Sequence, residues 1–66
     1  MKNRLGELRR RAQLSQEELA NLLKVSRQTV NSVENGRYNP SITLAIRMAR
    51  LFRLNVEDIF IYEEGK

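Results

Sequence analysis

The sequence predicts an all-α fold of five short helices in a single domain spanning residues 1–66. Three observations predict it. Apolar residues recur at spacings of three and four along successive stretches, the period of a helix with one buried face. Four stretches are preceded by a residue able to cap a helix N-terminus, namely Ser15, Ser26, Ser41 and Asn55. One substantial loop, Asn35-Gly36-Arg37-Tyr38-Asn39-Pro40, lies among them, and no repeat, low-complexity run or linker interrupts the chain.

The first helix is expected over Asn3 to Ala12, with Leu5, Leu8 and Ala12 facing the core. Arg9, Arg10 and Arg11 fall in its last turn, where cations complement the helix dipole. Gln13-Leu14 forms the connection, and Leu14 is placed to staple against Leu19. Ser15 and Glu18 make a capping box for a second helix running from Gln16 to about Leu23. Leu19, Leu22 and Leu23 form its stripe. Ala20 is small where this helix meets the next, and a bulkier residue there would overpack the crossing by about 1–3 kcal/mol.

The third helix, 26–34, is the informative one. Ser26 caps it, Val30 and Val33 form a narrow buried stripe, and Asn35-Gly36 is a stop signal. Its remaining positions before Glu34 are Arg27, Gln28, Thr29, Asn31 and Ser32, polar and mostly uncharged. A surface helix with only a structural role more often carries Glu and Lys pairs there. Arg, Gln, Asn, Ser and Thr are the side chains that bond base edges in a DNA major groove. From the residues alone, a solvated polar face is the alternative.

Three segments in order, Leu14-Ser15-Gln16-Glu17-Glu18-Leu19-Ala20, Val25-Ser26-Arg27-Gln28-Thr29-Val30 and Val33-Glu34-Asn35-Gly36-Arg37, resemble the Cro/CI-type (XRE-like) transcriptional regulators. The resemblance covers roughly Asn3 to Phe60. It implies a five-helix lambda-repressor-like DNA-binding domain, with the helix-turn-helix at about 16–34 and helix 26–34 in the major groove of double-stranded DNA. Arg27, Gln28 and Ser32 would read bases, with Asn31 as a fourth candidate. Arg27 can donate twice to guanine, and Gln28 can bond adenine. Gln16, Thr29, Asn35, Arg37 and Tyr38 match backbone-phosphate positions. Thr29 could instead meet a thymine methyl, and Tyr38 could simply cover the core edge. Arg9 matches the partner of the acidic residue closing the recognition helix, here Glu34, as a structural ion pair. Lys24 departs from the family, where glycine is frequent, and a left-handed backbone at a non-glycine residue costs about 1–2 kcal/mol.

Ser41 caps a fourth helix beginning just after Pro40. Ile42, Ala45, Ile46, Ala49 and Phe52, flanked by Leu44, Met48 and Leu51, give it the broad apolar face of a central core helix. Arg47, Arg50 and Arg53 form its wet side. Asn55 caps a last helix, Val56 to about Phe60, with Glu57 and Asp58 in the first turn as the dipole prefers. Ile61-Tyr62 extends the apolar run beyond it. In a small domain such a tail, 59–66, suggests a dimer contact through Ile61 and Tyr62, as a short strand pairing with its symmetry mate. Packing back on the same monomer is the alternative. Glu63 to Lys66 is expected to fray.

A chain of 66 residues buries only about 60% of its unfolded surface, so its stability needs help. Cysteine is absent, which excludes disulfides, and the absence of histidine argues against a transition-metal site. Oligomerisation or tight helix packing remains, and a homodimer is expected. Residues 1–53 hold eleven Lys or Arg against four Asp or Glu, while 54–66 hold one against four. The basic part thus contains the proposed DNA footprint. No signal peptide and no bilayer-length apolar run is present, so a cytoplasmic protein, on the nucleoid when bound, is expected. Without His, Cys, a phosphate-binding glycine loop or paired carboxylates outside a cap, an enzyme is not expected. Nor is a cofactor, a metal or a small-molecule ligand. The expected activity is sequence-specific transcriptional regulation, as a repressor. The alternative is an antitoxin or adaptor of the same fold whose main partner is a protein.

Overall fold

The computed structural model describes residues 2–62. Five helices follow one another in the expected order, and a two-residue strand precedes the first and follows the last. The elements are β1 (Lys2–Asn3), α1 (Leu5–Arg11), α2 (Gln16–Leu23), α3 (Arg27–Glu34), α4 (Ile42–Phe52), α5 (Val56–Ile59) and β2 (Phe60–Ile61). The strands pair antiparallel, Lys2 opposite Ile61 and Asn3 opposite Phe60, and the Arg4 N–H donates to the Ile59 carbonyl at 2.8 Å. Asn3 is therefore strand rather than the first turn of α1. The backbone of Ile61 pairs with Lys2 of its own chain, which is the within-monomer packing given as the alternative. Of the tail 59–66, Glu63 to Lys66 lie outside the described residues.

The helix starts follow the caps. Ser15, Ser26 and Ser41 each accept from the N–H three residues on, and Glu18 closes the capping box by accepting from the Ser15 N–H at 2.8 Å. Helices α1 to α4 also end alike. A residue with left-handed backbone, Gln13, Lys24, Gly36 or Arg53, follows each C-terminus, with φ between 58 and 74°. The next N–H reaches back to the carbonyl five residues earlier, as from Val25 to Ala20 at 3.0 Å and from Leu54 to Ala49 at 2.9 Å. This closure satisfies carbonyls that a helix end otherwise leaves open. Three of its four left-handed positions are not glycine.

All five helices contribute to one core. Leu5, Leu19, Leu23, Val30, Val33, Met48 and Ile59 are fully buried in it, and Leu14 and Leu8 pack against its edge. Five apolar expectations change, one of them at Leu51, which is exposed near the end of α4. Ala12 is exposed as the C-cap of α1, and Leu22 is exposed on α2. On α4 the buried face is Leu44, Ala45, Met48 and Ala49, so Ile42 (77% exposed) and Ile46 (43%) face outward. Eight apolar side chains in eleven positions fit more than one face of a helix, and the neighbouring helices select which is covered. Among the described residues no helix is long and apolar enough to cross a membrane.

Candidate nucleic-acid interface

The position of α3 is set at both ends. At its start, the left-handed turn at Lys24 (φ 60°, ψ 44°) swings the chain from α2 into Val25 and Ser26. The Ser26 hydroxyl accepts from the Thr29 N–H at 3.1 Å and lies 2.9 Å from the Thr29 hydroxyl. At its end, the Gly36 N–H donates to the Val33 carbonyl and the Arg37 N–H to the Ser32 carbonyl, both at 3.0 Å. That turn directs the 35–38 loop back along α3.

Glu34 ties α3 to two other helices. Its carboxylate accepts from Arg9 Nε at 2.7 Å and from the second guanidinium nitrogen at 3.3 Å, with both side chains largely buried. Arg9 also donates to the Leu14 carbonyl at 2.9 Å. The expected Arg9–Glu34 pair is thus present and extends into the connection before α2. Gly6 lies against it. A Cβ at that position would sit 3.2 Å from Glu34 Oε1, so a side chain there would crowd the carboxylate.

Two further contacts were not foreseen from the sequence. Gln16 Nε2 donates to Glu34 Oε1 at 3.2 Å, so its amide serves this network instead of standing free at the N-terminus of α2. Asn3 donates to the Val33 carbonyl at 2.7 Å and accepts from the Leu5 N–H at 3.0 Å, joining the C-terminal end of α3 to the start of α1. An asparagine just before a helical apolar stripe, able to bond a nearby backbone N–H, is the signal that could have found Asn3.

The outward face of α3 carries the predicted reading residues. Arg27, Gln28 and Asn31 are exposed, and Ser32 and Thr29 are half-buried. A groove of about 260 Å³ runs between α3 and the loop, lined by Ser26, Gln28, Thr29, Ser32 and Tyr38. It joins two candidate readers, Gln28 and Ser32, to two candidate phosphate ligands, Thr29 and Tyr38. Ser26, expected only as a cap, forms part of its wall. Asn35 donates to Asn31 Oδ1 at 3.2 Å, coupling another reader to another phosphate candidate. Arg27 and Arg37 are exposed, and no ion pair engages either among the described residues. Between Ser26 and Pro40 the only carboxylate is Glu34, and Arg9 neutralises it. The face therefore offers donors, acceptors and positive charge to a polyanion, with no unpaired carboxylate of α3 or its loop opposing one.

A helix-turn-helix family model matches residues 5–59. The chain is 50% identical over 66 residues to MJ0272 of Methanocaldococcus jannaschii, named an uncharacterized HTH-type transcriptional regulator, with all of both chains covered. It is 45% identical over 64 residues to YgzD of Bacillus subtilis, named likewise, covering 97% of each. Among solved structures, it is similar to the restriction-modification controller protein C.AhdI from Aeromonas hydrophila, at 37% identity and a TM-score of 0.77 over 86% of each chain. A transcriptional regulator from Listeria innocua shares the fold, with a TM-score of 0.78 over all of this chain and 65% of that one, at 24% identity. With the capped pair α2–α3, the polar face of α3 and these matches in agreement, the chain belongs to the Cro/CI-type (XRE-like) helix-turn-helix family of DNA-binding transcriptional regulators.

Proposed function

We propose that this protein is a repressor that binds a specific DNA site as a homodimer, inserting α3 into the major groove. The observation that carries the reading is the outward face of α3, where Arg27, Gln28 and Asn31 stand exposed beside Ser32 without an unpaired carboxylate. In this reading Arg27, Gln28, Ser32 and Asn31 discriminate bases. Thr29, Asn35, Arg37 and Tyr38 hold the backbone on one side of the groove. Gln16 acts on the other side through its backbone N–H, open at the start of α2, because its side chain is bonded to Glu34. The phosphate contacts supply affinity and make it fall with salt. Repression follows by occluding polymerase, without catalysis, on the nucleoid of the cytoplasm.

A two-fold dimer would set the recognition helices about 34 Å apart, one turn of DNA. Its contact is the apolar surface formed by Ile61 (41% exposed) and Tyr62 (74%) with Ile42 and Ile46. Next to the strand end, an apolar groove of about 340 Å³ is lined by Asn39, Pro40, Ile42, Ala45, Ile46, Val56 and Phe60, none of them charged. An uncharged patch suits contact between two copies that each carry a formal +4. Selection of bound sites from a random duplex pool tests the reading. A near-palindromic site with half-sites one turn apart is expected; recovery of unrelated sequences would contradict it.

A further inference from the structure

A second apolar surface lies apart from both the proposed dimer face and the candidate DNA face. It is a groove of about 300 Å³ between the C-terminal end of α2 and α4, lined by Leu22, Leu23, Lys24, Arg47, Arg50 and Leu51. Leu22 is 55% exposed and Leu51 38%. Leu23 is buried, and Arg47 donates to its carbonyl at 3.3 Å, which lays the arginine across the end of α2. Lys24, Arg47 and Arg50 have no carboxylate partner among the described residues, whereas Arg4, Arg9 and Arg11 each have one. No lining residue comes from α3 or the loop after it.

Two exposed leucines framed by three cations that lack a carboxylate partner among the described residues have a definite complement. DNA phosphates would satisfy the cations but gain nothing from Leu22 and Leu51. A second copy docking through the uncharged groove proposed for self-association would leave the cations unmatched. A helix with leucines at i, i+3 or i+4 and i+7, flanked by Glu or Asp, meets both features at once. From this complementarity we infer that the α2–α4 groove is a docking site for an acidic amphipathic helix of a partner protein. Because α3 and its loop supply none of the lining, the proposed DNA mode leaves the groove for a partner to be recruited to the bound regulator. Steering by the three cations speeds encounter at low salt, and the leucines hold the docked helix.

The test uses the full chain, ¹⁵N-labelled, and three synthetic peptides of about 14 residues, or four helical turns. One alternates leucine and glutamate in the amphipathic pattern, the second replaces each glutamate by glutamine, and the third replaces each leucine by serine. The acidic amphipathic peptide should shift the amides of Leu22, Lys24, Arg47, Arg50 and Leu51, and the other two should bind at least about tenfold more weakly. Arg50→Glu and Leu22→Ser should each weaken the acidic peptide about tenfold, while their dispersed spectra and DNA affinity stay unchanged. Equal binding of the acidic and glutamine peptides overturns the inference, as do shifts confined to α3 or to the Ile42 face. Groove shifts on adding duplex DNA alone would reassign it as a phosphate contact. Loss of self-association in Leu22→Ser would reassign it to a second copy.

Discussion

Glu34 governs the orientation of α3, because its carboxylate takes donors from Arg9 on α1 and Gln16 on α2. Removing it leaves a largely buried guanidinium with only the Leu14 carbonyl, and uncompensated buried charge is the costly case. Glu34→Ala should destabilise the protein by about 3 kcal/mol, read as a lower urea midpoint with an unchanged slope. The pair was legible through the family resemblance. Gln16 as its third member was not, since that reach depends on the angle between α2 and α3. Lys24 is the opposite case. Its left-handed backbone was anticipated only conditionally, and Gln13 and Arg53 share the conformation without any sequence signal. Glycine relieves the strain of such a position but costs chain entropy, so Lys24→Gly should stabilise by about 1 kcal/mol. Chemical denaturation checks this, and a destabilised variant would mean that the Lys24 side chain contributes more than the strain costs.

At the level of elements, the caps were readable because they are local. Ser15, Ser26 and Ser41 each satisfy the N–H three residues along, as their position before an apolar stripe implied. The face of α4 was not readable, because its apolar residues nearly encircle it and packing selects Met48 over Ile46. The β1–β2 ribbon was equally hidden: Lys2-Asn3 is too short and polar to signal a strand, and its register rests on the return of the chain at Phe60. Two substitutions separate the faces of α4. Met48→Ala should cost about 2–5 kcal/mol, the range for a fully buried methionine. Ile42→Ser should change stability by no more than about 0.5 kcal/mol in dilute, monomeric protein. Thermal unfolding of both at the same low concentration checks the assignment.

For the whole molecule, the proposed dimer is the help that a domain this small calls for. Ile42, Ile46, Ile61 and Tyr62 are each exposed in the monomer, and burying them in the proposed dimer would add apolar burial to a small core. Deleting 61–66 would also remove half of the strand pairing, so side-chain substitutions are the cleaner probe. Tyr62→Ser combined with Ile42→Ser should shift sedimentation toward monomer at concentrations where the unaltered chain is dimeric. An unchanged mass distribution would exclude this surface as the interface. Base reading by α3 within that dimer is the central claim, and it is tested most directly by selecting bound sites with the unaltered protein and with Arg27→Ala from one random duplex pool at one salt concentration. The variant is expected to lose the preference at one position of each half-site, at a cost of about 1–3 kcal/mol on the original site, with the other positions retained. An identical preference at every position would contradict a role for Arg27 in reading DNA.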